Sequence, residues 1–228
     1  MDDVQAPALE LTAQHLELAA VDGALMEDRV AASVREACSL GLRAVIVRPS
    51  DLDQAARMMY GDTKLASVCG YPDGASTTSV KVFEARDALR RGAREIHAVL
   101  NLGKLNSRQF QYVEMELIQL AQNCHEAGAK LRAIFQTPLL TEEGRLVASK
   151  ISKRSEVDSV IPCLAQAPAD HMDLLLRKCP PLVEVCGYAT DLDTVLAALA
   201  GGCSGASVPN PTEILEQWKQ RQTPARPS

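Results

Sequence analysis

Gly70 to Ala85 reads GYPDGASTTSVKVFEA, and the organisation of the chain follows outward from it. Gly70, Pro72 and Gly74 punctuate a turn, since two of them accept φ > 0 and the third fixes φ. Ser76, Thr77 and Thr78 each offer a side-chain oxygen to the free N–H groups of a first helical turn. Val82, Ala85 and Leu89 then recur at i, i+3 and i+7, one face of a helix. Directly before the turn, Leu65 to Cys69 (LASVC) is an apolar run of strand length. The unit is strand, loop, helix.

The same unit repeats on both sides. Leu16 to Val21 is the weakest strand by pattern. Glu27 to Leu40 reads as a helix with Val30, Val34 and Ala37 on one face, closed by Gly41. Ala44 to Val47 (AVIV) is a buried strand ending at Arg48-Pro49, with Ser50 or Asp51 placed to cap the next helix. Ile96 to Leu100 is the fourth strand, and Asn106 is expected to cap the helix after it. There Phe110, Val113, Leu117, Leu120, Ala121 and Cys124 give the clearest amphipathic pattern in the chain. Leu131 to Phe135 is a fifth strand, and Thr141-Glu142-Glu143 opens a helix. Val157 to Ile161, Leu182 to Val185 and Gly205 to Val208 complete the strands. A helix running to Lys178, one capped by Asp191 and a last one from Pro211 complete the alternation.

Eight β units alternating with eight α units predict a parallel (β/α)8 TIM barrel as a single α/β domain, with loose tails at about 1–12 and 221–228. A doubly wound open sheet shares the alternation but would carry a Gly-rich phosphate fingerprint after an early strand, and there is none. In a barrel, function sits at the C-terminal ends of the strands, in the βα loops.

A chain of 228 residues suits one such domain, and 46% hydrophobic residues supply its core. The net charge of −5 argues against nucleic acid as a partner, because no basic stripe meets phosphates. The acidic start has no apolar signal segment, and no run approaches the roughly 18 apolar residues of a membrane helix. Seven cysteines without a CxxC motif read as reduced, buried thiols. These features predict a soluble cytoplasmic protein with no membrane attachment.

The opening stretch closely resembles the deoxyribose-phosphate aldolase family. The resemblance continues through Glu95 to Leu105 (EIHAVLNLGKL) and Arg132 to Thr141 (RAIFQTPLLT), and back to Asp22 to Met26 (DGALM). It implies a (β/α)8 barrel and an aldol reaction through a Schiff-base lysine. That lysine belongs on the sixth strand, where this chain has Ile161, which cannot form an imine. The family's second lysine, on the seventh strand, depresses the first one's pKa by like charge; Glu184 stands there and would reverse the effect. His97 takes the place of an Asp in proton transfer, and Gln136 that of a Glu. Asp22 matches the family's polar residue on the first strand. The phosphate-binding turns are replaced by Gly187-Tyr188 and by Val208-Pro209-Asn210-Pro211, whose prolines remove two backbone donors.

Each substitution also has a plain structural reading. Ile161 and Val160 are good barrel filling, and a single histidine in an apolar strand such as His97 is more often a hydrogen-bonded core residue than a catalyst. Glu184 must be solvated, paired or protonated; Arg48 or His97 is its expected partner. Cys69, Cys163 and Cys186 fall near strand ends and with His97 form a weak zinc pattern. Lys81 and Lys104 read as surface lysines paired with carboxylates. The expectation is a barrel that has lost imine chemistry, a pseudoenzyme acting as scaffold or regulator. The alternative is a diverged lyase or isomerase acting on a small carbonyl compound. It would use His97 and Glu184 as acid/base groups, with Asp22 and Gln136 beside them and Arg48, Asn101, Cys163 and Cys186 binding substrate. Lower still stands an active aldolase with a relocated lysine. No cofactor and no metal are expected; a small molecule or protein partner and a homo-oligomer such as a dimer are.

Overall fold

The computed structural model describes residues 11–162 and 184–222 of the chain. Its strands are β1 (Leu16–Ala20), β2 (Ala44–Val47), β3 (Lys64–Cys69), β4 (Glu95–Val99), β5 (Lys130–Ile134), β6 (Ser159–Ile161), β7 (Glu184–Tyr188) and β8 (Gly205–Ser207). Each pairs in parallel with the next, and β8 returns to β1, closing the barrel. Among the described residues the helices are α1 (Glu27–Leu40), α2 (Leu52–Met58), α3 (Thr78–Arg90), α4 (Leu102–Asn106), α5 (Phe110–Glu126), α6 (Glu142–Arg154), α7 (Leu192–Ala200) and α8 (Pro211–Gln222). No described helix is long and apolar enough to cross a membrane.

Local chemistry explains most boundaries. Gly41 closes α1 at φ 65°, a left-handed conformation that glycine adopts freely. Gly74 sits at φ 70°, and a Cβ there would come within 2.0 Å of the Leu100 carbonyl oxygen. The Gly70–Gly74 turn is thus laid directly on the end of β4. Thr77 is the N-cap of α3, but without a side-chain cap; the Thr78 hydroxyl instead donates to Glu116 at 3.1 Å. Asn106 does not cap the long helix as expected. It ends α4, and α5 starts after Gln109.

The apolar face of α5 is buried as its spacing requires, and one charge is buried with it. Glu116 accepts from the Lys81 ammonium at 2.6 Å, and Lys81 also donates to the Val99 carbonyl at 2.8 Å. Both side chains are at most 1% exposed. Lys81 is paired with a carboxylate, as expected, but in the interior rather than on the surface. The reason is its place on the buried face of α3, where it reaches α5 and the end of β4 together.

Inside the barrel, side chains alternate as parallel strands demand. Leu65, Ile96, Ala98, Leu131, Ala133 and Val160 face the helices in the main core. Val99, Ile134 and Ile161 form a separate apolar cluster with Tyr71 against it, and Ile46, Ala66 and Val68 form another. Two positions nearer the strand starts stand His97 on β4, Arg132 on β5 and Ser159 on β6, each buried. The Arg132 guanidinium donates to Glu17 at 2.6 Å, to Glu95 at 3.4 Å and to Ser159 at 2.7 Å. Arg43 also donates to Glu17, and His97 Nε2 lies 3.3 Å from Glu95.

Charge balance in this floor sets its titration. Burial alone would raise the Glu17 pKa, but the Arg132 and Arg43 guanidiniums outweigh it and hold the carboxyl far below its usual range. Burial likewise works against Glu95, yet the His97 hydrogen bond and Arg132 bring it down to about 2. His97 is pushed below its ordinary value chiefly by burial, with Arg132 adding to the effect and Glu95 opposing it.

Two predictions follow from these buried charges. Glu116→Gln should destabilise the fold by about 3–5 kcal/mol in urea unfolding, since it strands the Lys81 ammonium. The double variant Lys81→Met, Glu116→Leu should recover much of that loss; equal loss in both would exclude a paired-charge origin. Acid should act in two stages. His97 is neutral when folded and protonated when unfolded, so stability falls once pH drops below about 6.5. The depressed carboxylates stabilise above about pH 4.5, and that contribution is lost as pH falls towards 2, on the order of 3 kcal/mol from Glu95 alone. A thermal midpoint that stays flat between pH 7 and pH 3 would contradict the floor network.

Candidate functional site

The C-terminal mouth holds a cavity of about 700 Å³ beside β1, β2 and β3. Asp22, Arg48, Glu84 and Tyr71 line it, with Val21 and Val68 at its base. Most of these polar groups are already engaged by the loops. Arg48 donates to Asp51 at 2.6 Å, to the carbonyls of Asp22 and Gly23 at 2.9 and 3.2 Å, and to that of Leu25 at 2.9 Å. It therefore staples the loop after β1. Its carboxylate partner among the described side chains is Asp51, three residues on and within easy reach; the Glu184 side chain, the partner expected from sequence, lies outside the described ones. Asp22 is exposed and accepts from the Ala24 N–H at 2.8 Å. Glu84 accepts from the Gly70 N–H at 2.7 Å, tying α3 to the start of the turn.

Gln136 lies on the other side of the mouth in a left-handed conformation, φ 49°. Its amide donates to the Pro72 carbonyl at 3.0 Å, joining the loop after β5 to the Gly70–Gly74 turn. Asn101, expected to bind substrate, is 7% exposed and caps α4 by accepting from the Lys104 N–H at 3.0 Å. A five-residue helix needs that acceptor. Neither Asn101 nor Gln136 lines the cavity.

His97 is fully buried and does not line the cavity. Val99 stands two residues nearer the mouth on the same strand, and the cluster of Val99, Ile134 and Ile161 meets Tyr71 there. The described partner of His97 is Glu95, two residues away on its own strand. With Glu95 ionised, Nε2 carries the proton and donates, so Nδ1 is left a buried acceptor without a partner. The backbone of Glu184 pairs in register with Ser159, and that of Cys186 with Gly205; neither side chain is described. Cys163 lies outside the described residues. Cys69 points away from His97: its thiol meets the Lys81 carbonyl, and burial pushes its pKa up. Among the described residues no cluster of metal-ligating side chains forms.

Sequence reasoning missed Glu84 and Tyr71 at the mouth and the charges of the floor. The signal was present for the floor: Glu95 and His97 in EIHAV, and Lys130 and Arg132 in KLRAI, occupy alternate positions of strands buried on both faces. No lysine among the described residues lines the mouth cavity. Ile161, where the resemblance implies an imine-forming lysine, packs against Val99 and Ile134.

No family model matches the chain. A deoxyribose-phosphate aldolase of Thermococcus kodakarensis is 40% identical over 128 residues, 55% of this chain and 57% of that protein. The chain thus matches little more than half the length of that relative. The aldolase of the same name from Methanothermobacter thermautotrophicus is 30% identical over 194 residues, 81% of this chain and 85% of the relative. Among solved structures, an aldolase designated QR15 superposes with a TM-score of 0.84 at 26% identity, over 92% of this chain and 96% of its own. A closed eight-stranded parallel barrel, matched along most of its length by these proteins, places the chain in the deoxyribose-phosphate aldolase family.

Proposed function

We propose that this barrel is a member of the family without imine chemistry, acting as a scaffold or regulator. The observation that carries the reading is the apolar cluster of Ile161, Val99 and Ile134 beneath Tyr71. An imine requires a primary amine facing the carbonyl carbon of the substrate. Here the strand position implied for that amine is occupied by a branched alkyl group packed on two others. Further replacements point the same way. His97 stands where the family has a carboxylate, but it is hydrogen-bonded to Glu95 and shut off from the mouth. Pro209 and Pro211 withhold backbone donors from the loop after β8, and Pro211 opens α8 instead.

The diverged-enzyme alternative with His97 as acid or base has less support, because its imidazole is fully buried and is not among the described residues lining the mouth cavity. The mouth cavity does support binding of a small polar molecule against Asp22 and Glu84. A relocated lysine would have to reach this mouth; Lys81, the fully buried one, is held by Glu116 and the Val99 carbonyl. Self-association is part of the reading. Val80 and Phe83 on α3 and Met115 on α5 are more than half exposed, an apolar surface suited to a second copy of the chain.

Incubation with an aldehyde and borohydride should leave the mass of the protein unchanged, and deoxyribose 5-phosphate should not be cleaved. A borohydride-dependent mass increment mapped to a barrel lysine would overturn the proposal. Light scattering should show a homo-oligomer that shifts towards monomer in Phe83→Glu; a wild-type monomer at micromolar concentration would refute self-association.

A further inference from the structure

The opposite end of the barrel holds a second cavity, of about 290 Å³, among the starts of the strands. Arg43 precedes β2, Lys64 begins β3, Lys130 begins β5, and Arg132 lies one turn of the pleat deeper; all four line it. The other described side chains that line it are Glu95, Ser159, Gln14 and Ser204, so among the described residues its wall is polar throughout. The N-terminal face of such a barrel is ordinarily devoted to stability. Four cations gathered among the described lining residues are more than stability needs.

Charge balance identifies what the cavity would take. Among the described side chains, Glu17 and Glu95 are the carboxylates in contact with its cations. They answer Arg43 and Arg132. His97, kept neutral by burial, adds no charge. Lys64 and Lys130 have no ion pair or hydrogen bond to any described side chain, and both are exposed at the rim. The floor of the cavity is fixed by the Arg132 bonds to Glu17 and Ser159, so the wall is held in place before any ligand arrives. Two rim ammoniums above a fixed guanidinium make a receptor for oxygen-bearing anions.

We propose that this cavity binds a small free oxyanion carrying two or more negative charges, of the phosphate or pyrophosphate class. Lys64 and Lys130 contribute the charge-assisted hydrogen bonds, and Arg132, itself held by Glu17, forms the base of the site. The site is at the far end of the barrel from the mouth cavity and does not depend on whether the mouth retains any chemistry. Phosphate and pyrophosphate differ in reach. Bridging both rim lysines favours the longer anion.

Isothermal titration of the full chain with inorganic phosphate, pyrophosphate and glycerol phosphate, at low chloride, tests the site. The expected result is saturable one-site binding with pyrophosphate tightest, weakened about tenfold by Lys64→Ala or Lys130→Ala alone. Pyrophosphate should also raise the thermal midpoint of the wild type but not of the double variant. Lys150→Ala, on α6 and away from the cavity, should bind as the wild type does. Because the two rim lysines have no described partner, their variants should fold normally, which circular dichroism confirms. Absence of saturable binding in the wild type would overturn the proposal. So would unchanged affinity in the double variant, or an equal loss in Lys150→Ala, which would indicate a diffuse surface charge effect.

Discussion

The bond between Arg132 and Glu17 spans the barrel from β5 to β1 and governs what the interior can contain. Both groups are removed from water, at a cost that an apolar pair of similar volume would avoid. What the pair supplies is definition: Arg132 also meets Glu95 and Ser159, so one guanidinium ties β1, β4, β5 and β6 at a single level. A slip of one residue in any of these strands would turn its polar side chain outwards, into the apolar layer under the helices. The register of the barrel is thus specified by polar satisfaction inside and by apolar packing outside.

The same network accounts for His97. A histidine at the base of an open cleft would be available for proton transfer. This one shares Glu95 with Arg132, and its neighbourhood disfavours a second positive charge. Above it, Val99, Ile134 and Ile161 separate the floor from the mouth. On the proposed reading, the departures from the family pattern are therefore connected rather than scattered. Replacing only the lysine would leave its polar surroundings without a partner, at a cost of the kind incurred by any orphaned buried group. Here Ile161, where the resemblance implies a lysine, forms one apolar unit with Val99 on β4, Ile134 on β5 and Tyr71.

Much of this fold was legible in the sequence because periodicity reports directly on burial. The apolar face of α5, the closing glycine of α1 and the alternation of strands and helices needed no knowledge of distant contacts. Gly74 was legible as a turn residue, although the reason for it, the Leu100 carbonyl 2.0 Å from any added Cβ, is a tertiary fact. Side-chain partnerships were less accessible. Arg132 and Glu17 lie 115 residues apart, and spacing says nothing about which long side chains meet across a closed sheet. Arg48 and Asn101 carry the right chemistry for ligand binding, but nearby backbone groups consume it. Lys81 looked like a solvated helix residue because its counter-charge, Glu116, sits in a face otherwise read as apolar.

The two ends of the barrel differ in how their polar groups are committed. At the mouth, Arg48 makes four bonds to its own loops, Glu84 holds Gly70, and Gln136 holds Pro72. These bonds shape the cavity while leaving it little strong donor capacity. At the strand starts the guanidiniums are fixed and the ammoniums are not. Recognition of a charged ligand depends on donors that are positioned but unspent, since a donor already satisfied by protein must break that bond to make another. By that criterion the mouth is built to be held open and the floor is built to receive an anion. The difference lies in the strand-initial lysines: Lys64 and Lys130 begin β3 and β5 at the exposed rim and pair with no described carboxylate.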